Sequence, residues 1–262
     1  MEAVLHCAPA RTAVCNIPHI DIMLARLLPL ALVAFSAAAT FAADPAANTL
    51  TLEEKSAGWK LLFDGTSTKG WHSIGKTTPP PAAWAAEEGE LRLLKKDGKT
   101  GGGDIVTEEE FTDFELTWDW NIAEGGNSGL KYNLPDPTKG VGCEYQLLDD
   151  EKNEDAKVRN GTHVTASLYD LIPPAADKKI NPAGQWNHSR LLVHGNHVEQ
   201  WINGGKVVSF DFGSPEMTKL IEESKFKNTK GWGVKTKSPI LLQDHGGAIS
   251  FKNIKIRHLA AK

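Results

Sequence analysis

Phe114-Glu115-Leu116-Thr117-Trp118-Asp119-Trp120 sets a large apolar side chain at every second position and a polar one between each pair. Successive side chains of a strand point to opposite faces, so Phe114, Leu116, Trp118 and Trp120 enter a core while Glu115, Thr117 and Asp119 face outward. Such a strand is half-buried and suits an antiparallel sheet with one packed face and one wet face. The sequence on both sides fits. His197 to Ile202 and Lys206 to Phe210 flank Asn203-Gly204, the pair that best supplies the two positive-φ positions of a type I′ hairpin turn. Trp84, Leu91 and Leu93 around Glu88-Gly89 suggest another hairpin, and Ile249 to Ile256 reads as a closing strand. Extended pieces are also expected at Trp59 to Phe63 and Gly70-Trp71-His72, with a loop at Pro79-Pro80-Pro81. Thr107, with Glu110 as capping-box partner, suggests a helical turn. Ser214-Pro215-Glu216 opens the one clear helix, with Met217, Leu220 and Ile221 on one face up to about Phe226. Many short strands and one short helix indicate an all-β chain, a single-domain β-sandwich or jelly roll whose strand order the pattern leaves open.

The first 43 residues read as a leader and signal peptide. Met23-Leu24-Ala25-Arg26 carries a positive charge, Leu27 to Phe35 is a short apolar run, and Ala42-Ala43 suits a cleavage site. The run is too short to favour a membrane span, so no transmembrane anchor is expected after cleavage. Either Met23 is the true start or the leader is long. The expected organisation is then an N-terminal extension at 44–57 and one domain at 58–259, in an exported protein, periplasmic or extracellular. Of three cysteines, Cys7 and Cys15 fall in the leader, so Cys143 has no partner for a bridge and reads as a small buried hydrophobe. The net charge is −4 with no basic block, which argues against nucleic acid as a partner. The oligomeric state is not legible.

Candidate chemistry lies in short stretches. In Leu241-Leu242-Gln243-Asp244-His245-Gly246-Gly247 the period of two puts Gln243 and His245 on one face, with Leu242 and Asp244 on the other. Gly126-Asn127-Ser128-Gly129 offers Asn127 and Ser128 as donors to a sugar hydroxyl; an ordinary turn explains the same residues. In Gly142-Cys143-Glu144-Tyr145-Gln146-Leu147, Glu144 and Gln146 share one sheet face, and Asp149-Asp150-Glu151 reads as a charged loop. A retaining glycosidase needs two carboxylates about 5–5.5 Å apart, which alternating acids on one strand supply. Glu144 has Gln146 at that spacing, which disfavours two-carboxylate hydrolysis. His163, Tyr169-Asp170 and Trp186-Asn187-His188-Ser189-Arg190 could converge on the same site, with Arg190 clamping an oxyanion or forming a surface ion pair. His188, His194 and His197 lie close in sequence but carry no paired metal-ligand signature.

Taken in order, Leu62-Phe63-Asp64-Gly65 with Gly70-Trp71, Asp104-Ile105-Val106-Thr107, Gly126-Asn127-Ser128-Gly129, Glu144-Tyr145-Gln146-Leu147-Leu148-Asp149, Gly184-Gln185-Trp186-Asn187, Trp201-Ile202-Asn203-Gly204 and Leu242-Gln243-Asp244-His245-Gly246 resemble the 3-keto-disaccharide hydrolase family. The likeness runs from about Gly58 to Leu259. Phe251-Lys252-Asn253-Ile254 departs from the family's more frequent Phe-Arg-Asn-Ile, and Asp119 stands where Glu is common. The resemblance implies a concanavalin-like jelly roll and cleavage of glycosides oxidised to a ketone at sugar carbon 3. A 3-ketone acidifies the hydrogen on carbon 2, so one base, one electrophile and one proton donor suffice for elimination at carbon 1, after which water adds back.

On chemistry and position, His245 and Glu144 are the candidate catalytic pair. Gln243, Gln146, Asn127, Ser128, Lys131, Tyr169 and Arg190 are the candidate substrate-binding residues. No cofactor is indicated, and a divalent metal polarising the ketone stays open. The expected partner is an oxidised saccharide. The competing class is a non-catalytic carbohydrate-binding module, and an ordinary glycoside hydrolase is third.

Overall fold

The computed structural model describes residues 46–94 and 102–262. The expected leader, with Cys7 and Cys15, lies outside the described residues, as does Gly101. In chain order the described residues form α1 (Leu52–Ser56), β1 (Lys60–Leu61), β2 (Trp71–Ser73), β3 (Trp84–Glu87), β4 (Glu90–Leu93), β5 (Ile105–Phe111), β6 (Phe114–Ile122), β7 (Asn127–Asp136) and β8 (Val141–Leu148). They continue with β9 (Asn187–His194), β10 (His197–Ile202), β11 (Gly205–Asp211), α2 (Pro215–Glu223), β12 (Ser238–Leu242) and β13 (Ile249–His258).

Two antiparallel sheets make the jelly-roll sandwich. The larger runs β11-β10-β9-β6-β13-β4-β3, with β1 paired to β13; the smaller runs β2-β5-β12-β7-β8. Alternation on β6 places Leu116, Trp118 and Trp120 fully in the core between them. There Trp118 meets Tyr145 of β8 edge to face, with ring centroids 5.0 Å apart. A buried hydroxyl needs a partner, and the Tyr145 Oη finds Ser189 Oγ at 2.9 Å, to which Trp120 Nε1 also donates at 2.9 Å. Truncating Trp118 to Ala would cost about 3–5 kcal/mol by cavity formation. The Asn203-Gly204 turn has both residues at positive φ, 44° and 82°, as the hairpin joining β10 and β11 requires.

Three local expectations need correction. Ile105 to Phe111 is strand throughout, and Thr107 caps no helix: its hydroxyl donates to Glu109 O within β5 and accepts from Ile240 N of β12. The helix begun by Ser214 ends at Glu223 rather than near Phe226, because Ser224 leaves helical φ/ψ and Ser224 Oγ caps Ile221 O. A second helix, α1 (Leu52–Ser56), precedes the one expected, with a complete capping box between its N-cap Thr51 and Glu54. Asn48 and Asn253 exchange hydrogen bonds at 2.7 and 2.8 Å, and Lys255 meets Glu54 at 2.7 Å, so this segment docks on β13.

β8 is the edge of the smaller sheet, and an edge strand left bare invites unwanted pairing. The chain after β8 folds back over it. Gln146 N donates to Ser167 O, Ala166 N to Gln146 O and Tyr169 N to Glu144 O, covering the edge and bringing Tyr169 beside Glu144.

Candidate active site

One transverse row crosses all five strands of the smaller sheet: His72 pairs with Val106, Val106 with Leu241, Leu241 with Lys131, and Lys131 with Glu144. These side chains share the face turned away from the core, and the end of the row at β7 and β8 opens into a cleft of about 200 Å³. Glu144, Gln146, Asn127, Lys131, Gln243, His245 and Tyr169 all line it, together with Asp155, Lys225 and Phe226.

Glu144 is the centre of the cleft. It is only 8 % exposed, and burial in this low-dielectric wall raises its carboxyl above the ordinary value, opposed by the nearby Lys131 and Lys225 ammonium groups and by His245. Lys131 Nζ lies 3.5 Å from Glu144 Oε2 and donates to Gly140 O at 3.2 Å. Gln146, two residues along the same face, lies with its carboxamide 3.1 Å from Glu144 Oε1 and 2.9 Å from Ser128 O, two acceptors that are both satisfied when the amide nitrogen is assigned to that side. A hydrogen on Gly129, rather than a side chain, makes room for the carboxylate: a β-carbon there would sit 2.5 Å from Glu144 Oε1.

The strand β12 carries the other half. Gln243 N donates to Gly129 O at 2.9 Å, which extends the β7 pairing one residue past the strand and fixes the direction of the Gln243 side chain. That carboxamide is buried, and its Oε1 has no hydrogen-bond partner among the described residues. An unpaired amide oxygen in a cleft is costly unless a ligand's donor meets it. His245 is exposed in the bend that follows, without a hydrogen-bond partner among the described residues. Asp244 points away. Its Oδ2 accepts from Gly102 N and Gly103 N at 3.0 Å each, and its own N donates to Asp104 Oδ1 at 2.9 Å, so it braces the loop behind His245. Burial raises the Asp104 carboxyl, against the hydrogen bond from Asp244.

The covering loop builds the third wall. Tyr169 Oη donates to Asp155 Oδ2 at 3.2 Å, and Asp155 Oδ1 meets His163 Nδ1 at 2.8 Å. His163 Nε2 reaches Asp170 Oδ1 at 3.1 Å, and its ring stacks on Tyr169 at 4.2 Å. Burial and the charge of Asp155 push the Tyr169 phenol well above its ordinary value, so it stays a hydroxyl donor. Lys225 follows α2, its N held by Asp170 Oδ2 at 3.1 Å and its Nζ 4.1 Å from the Tyr169 ring centroid. Among the described residues no carboxylate lies within 4.0 Å of Lys225 Nζ.

Two of the predicted binding residues are not brought into the cleft. Arg190 sits on β9 of the larger sheet, where its guanidinium pairs with Glu115 at 2.5 Å and lies over Trp201 at 5.0 Å. It forms an ion pair, the alternative to an oxyanion clamp, and lies on the other sheet from Glu144. Ser128 alternates with Asn127 and Gly129 and so points to the interior, where Oγ donates to Gln243 O at 2.7 Å and the residue is fully buried. Sequence reasoning missed Asp155, Lys225 and Phe226. Asp155 belongs to an acidic loop with no periodicity, and Lys225-Phe226 lies just past a helix end, so neither pattern nor spacing marked them. Cys143 is fully buried, and burial drives its thiol far up, which fits a core residue. His188, His194 and His197 each take a separate partner, Asp119, Ala260 O and Asp211. Among the described residues no three His, Cys, Asp or Glu side chains are grouped to hold a metal.

The model of the 3-keto-alpha-glucoside-1,2-lyase-like domain family matches residues 58–257. A curated relative, the 3-keto-disaccharide hydrolase of Bacteroides thetaiotaomicron, is 30% identical over 241 residues, 81% of this chain and 82% of that protein. A crystallised Parabacteroides distasonis protein provisionally designated a glycosyl hydrolase superposes with a TM-score of 0.72 at 32% identity, over 82% of this chain and all of that one. A second from the same organism, similarly designated, gives a TM-score of 0.59 at 26% identity over 77% of this chain and 99% of its own.

Proposed function

The chain belongs to the 3-keto-alpha-glucoside-1,2-lyase-like domain family, and from that premise we propose that it is an exported, carbohydrate-active enzyme of hydrolase type that cleaves 3-keto-glycosides by elimination and rehydration. The observation that carries this reading is the setting of Glu144: a buried carboxylate among the Lys131 ammonium and the Gln146 amide, while the cleft's other carboxylate among the described residues, Asp155, is bound to His163 and Tyr169. A cleft of that kind lacks the free pair that oxocarbenium chemistry uses.

In this account a base, Glu144 or His245, takes the proton from carbon 2 of the 3-keto sugar. The electron pair moves into the carbon 2–carbon 3 bond and the ketone oxygen becomes an enolate oxyanion. Lys225, an ammonium without a carboxylate partner among the described residues, lies over the Tyr169 ring at the cleft and stabilises that charge. When the carbonyl re-forms, the carbon 1–oxygen bond breaks and a double bond forms between carbons 1 and 2. The leaving oxygen takes a proton from the other member of the pair. Water then adds its hydroxyl to carbon 1 and its proton to carbon 2, giving the free 3-keto sugar. Gln243, Gln146, Asn127 and Tyr169 hold the ring hydroxyls. Export rests on the leader-like character of residues 1–43.

The test is incubation with a 3-keto-disaccharide and with its unoxidised parent. Monosaccharide release from the oxidised sugar alone supports the reading. Binding without release would make the chain a carbohydrate-binding module, and release from both would make it an ordinary glycosidase.

A further inference from the structure

A chain of hydrogen bonds runs from Asp170 to the cleft and ends on the Tyr169 hydroxyl. Asp170 is buried and takes a left-handed φ of 69°, a conformation that a residue with a side chain holds only where its surroundings over-determine it. They do so here. Asp170 Oδ1 accepts from His163 Nε2 at 3.1 Å and from Arg159 Nε at 3.0 Å, Oδ2 accepts from Lys225 N at 3.1 Å, and Asp170 N donates to Thr162 O at 3.0 Å. Burial opposes the charge of Asp170, but the bonds from His163 and Lys225 N hold its carboxyl below the ordinary value. His163 Nε2 therefore carries the hydrogen on that line.

Counting hydrogens along the chain fixes the direction of its last bond. His163 Nδ1 lies 2.8 Å from Asp155 Oδ1, and one hydrogen lies between them whether the nitrogen or the oxygen carries it. In either case Asp155 Oδ2 offers only lone pairs, so Tyr169 Oη, 3.2 Å away, gives it the one hydrogen it has. The phenol then faces the cleft with lone pairs alone. Gln243 Oε1, buried in the same cleft without a partner among the described residues, is likewise an acceptor. Both positions call for a hydroxyl that donates.

Lys225 gives the place along the sugar. Its ammonium lies 4.1 Å from the centroid of the Tyr169 ring, and in the reaction above it meets the oxygen on carbon 3. Glu144 and His245 serve carbons 1 and 2, so the hydroxyl beside the phenol is the one on carbon 4.

We infer that Tyr169 accepts a hydrogen bond from the carbon 4 hydroxyl of the oxidised sugar, and that Asp155, held through His163 to Asp170, is the positioning residue that sets this direction. The inference rests on the functional reading above. It adds a substrate requirement: the oxidised ring must carry a free hydroxyl at carbon 4, so a 3-keto sugar linked onward or acylated through that oxygen is a poor substrate.

The experiment compares a 3-keto-disaccharide with its 4-deoxy-4-fluoro analogue, fluorinated on the oxidised ring, as substrates of the full chain. Fluorine there cannot donate. The ratio of KM values, fluoro over hydroxyl, should be about tenfold larger in the wild-type protein than in Tyr169→Phe, a comparison in which the electronic effect of fluorine on the neighbouring ketone cancels. Asp155→Ala frees the Tyr169 hydrogen to turn into the cleft, where fluorine can meet it, and should lower the ratio as Tyr169→Phe does. The same ratio in wild type and Tyr169→Phe would overturn the carbon 4 contact. A wild-type ratio retained in Asp155→Ala, with both KM values raised alike, would overturn the positioning role of Asp155. A wild-type protein that cleaves neither compound would overturn the functional reading itself.

Discussion

A β-carbon on Gly129 would lie 2.5 Å from Glu144 Oε1, closer than any side chain tolerates, so the buried carboxylate of β8 occupies the space that a bare β7 backbone leaves for it. Gly129 takes no left-handed φ, and its role is therefore room rather than backbone freedom. Gly129→Ala should leave the thermal midpoint nearly unchanged and lower kcat/KM about 100-fold, the scale on which small displacements of a reacting group act. Near-normal turnover would remove Glu144 from the reacting centre.

Burial also fixes the sign of a pH effect. Because the folded protein raises the Glu144 carboxyl above its ordinary value of 4.5, the folded state binds that proton more tightly than the unfolded chain. Its contribution to stability is present at pH below about 4.5 and is lost as pH rises through the raised folded value. The activity moves the other way if Glu144 acts as base: kcat/KM should fall on the acid side at a pH above the usual carboxylate range. Glu144→Gln should remove both effects, as read by thermal unfolding and by a pH profile of residual turnover.

Gln243 holds a buried amide oxygen without a partner among the described residues. Gln243→Leu should therefore leave urea stability unchanged or slightly higher, since it removes an unpaired polar group. KM for a 3-keto-glucoside should rise about tenfold with the loss of one hydrogen bond to substrate. A marked loss of stability would show that the amide serves the fold.

Lys225 and Arg190 give opposite expectations. Lys225→Met should lower kcat about 100- to 1,000-fold, the scale of removing an oxyanion donor, and should slow exchange of the carbon 2 hydrogen to the same degree. Arg190→Ala should leave kcat/KM within about twofold, since its partners are Glu115 and Trp201 on the other sheet. Equal effects of the two would contradict the cleft drawn here.

The period of two carried the sequence reading far. It put Trp118 and Trp120 in the core, and it set Glu144 with Gln146 and Gln243 with His245 on faces that the smaller sheet brings together. The same rule, applied to Ser128, would have turned it inward beside the outward Asn127. What periodicity cannot give is which sheet a strand joins, and Arg190 was misassigned for that reason. Thr107-Glu108-Glu109-Glu110 mimics a helix start, but the threonine hydroxyl serves the neighbouring strand instead. Asp155 and Lys225 reach the cleft through loops whose course depends on buried ties such as His163 to Asp170 and Asp170 to Lys225 N. Those ties join residues up to 55 positions apart, beyond any local pattern.

The most direct measurement is cleavage of a 3-keto-disaccharide in heavy water, followed by mass and NMR analysis of the released 3-keto sugar. Elimination followed by hydration predicts one deuterium at carbon 2, with no release from the unoxidised disaccharide. Release of a 3-keto sugar that retains its original hydrogen at carbon 2 would contradict the account.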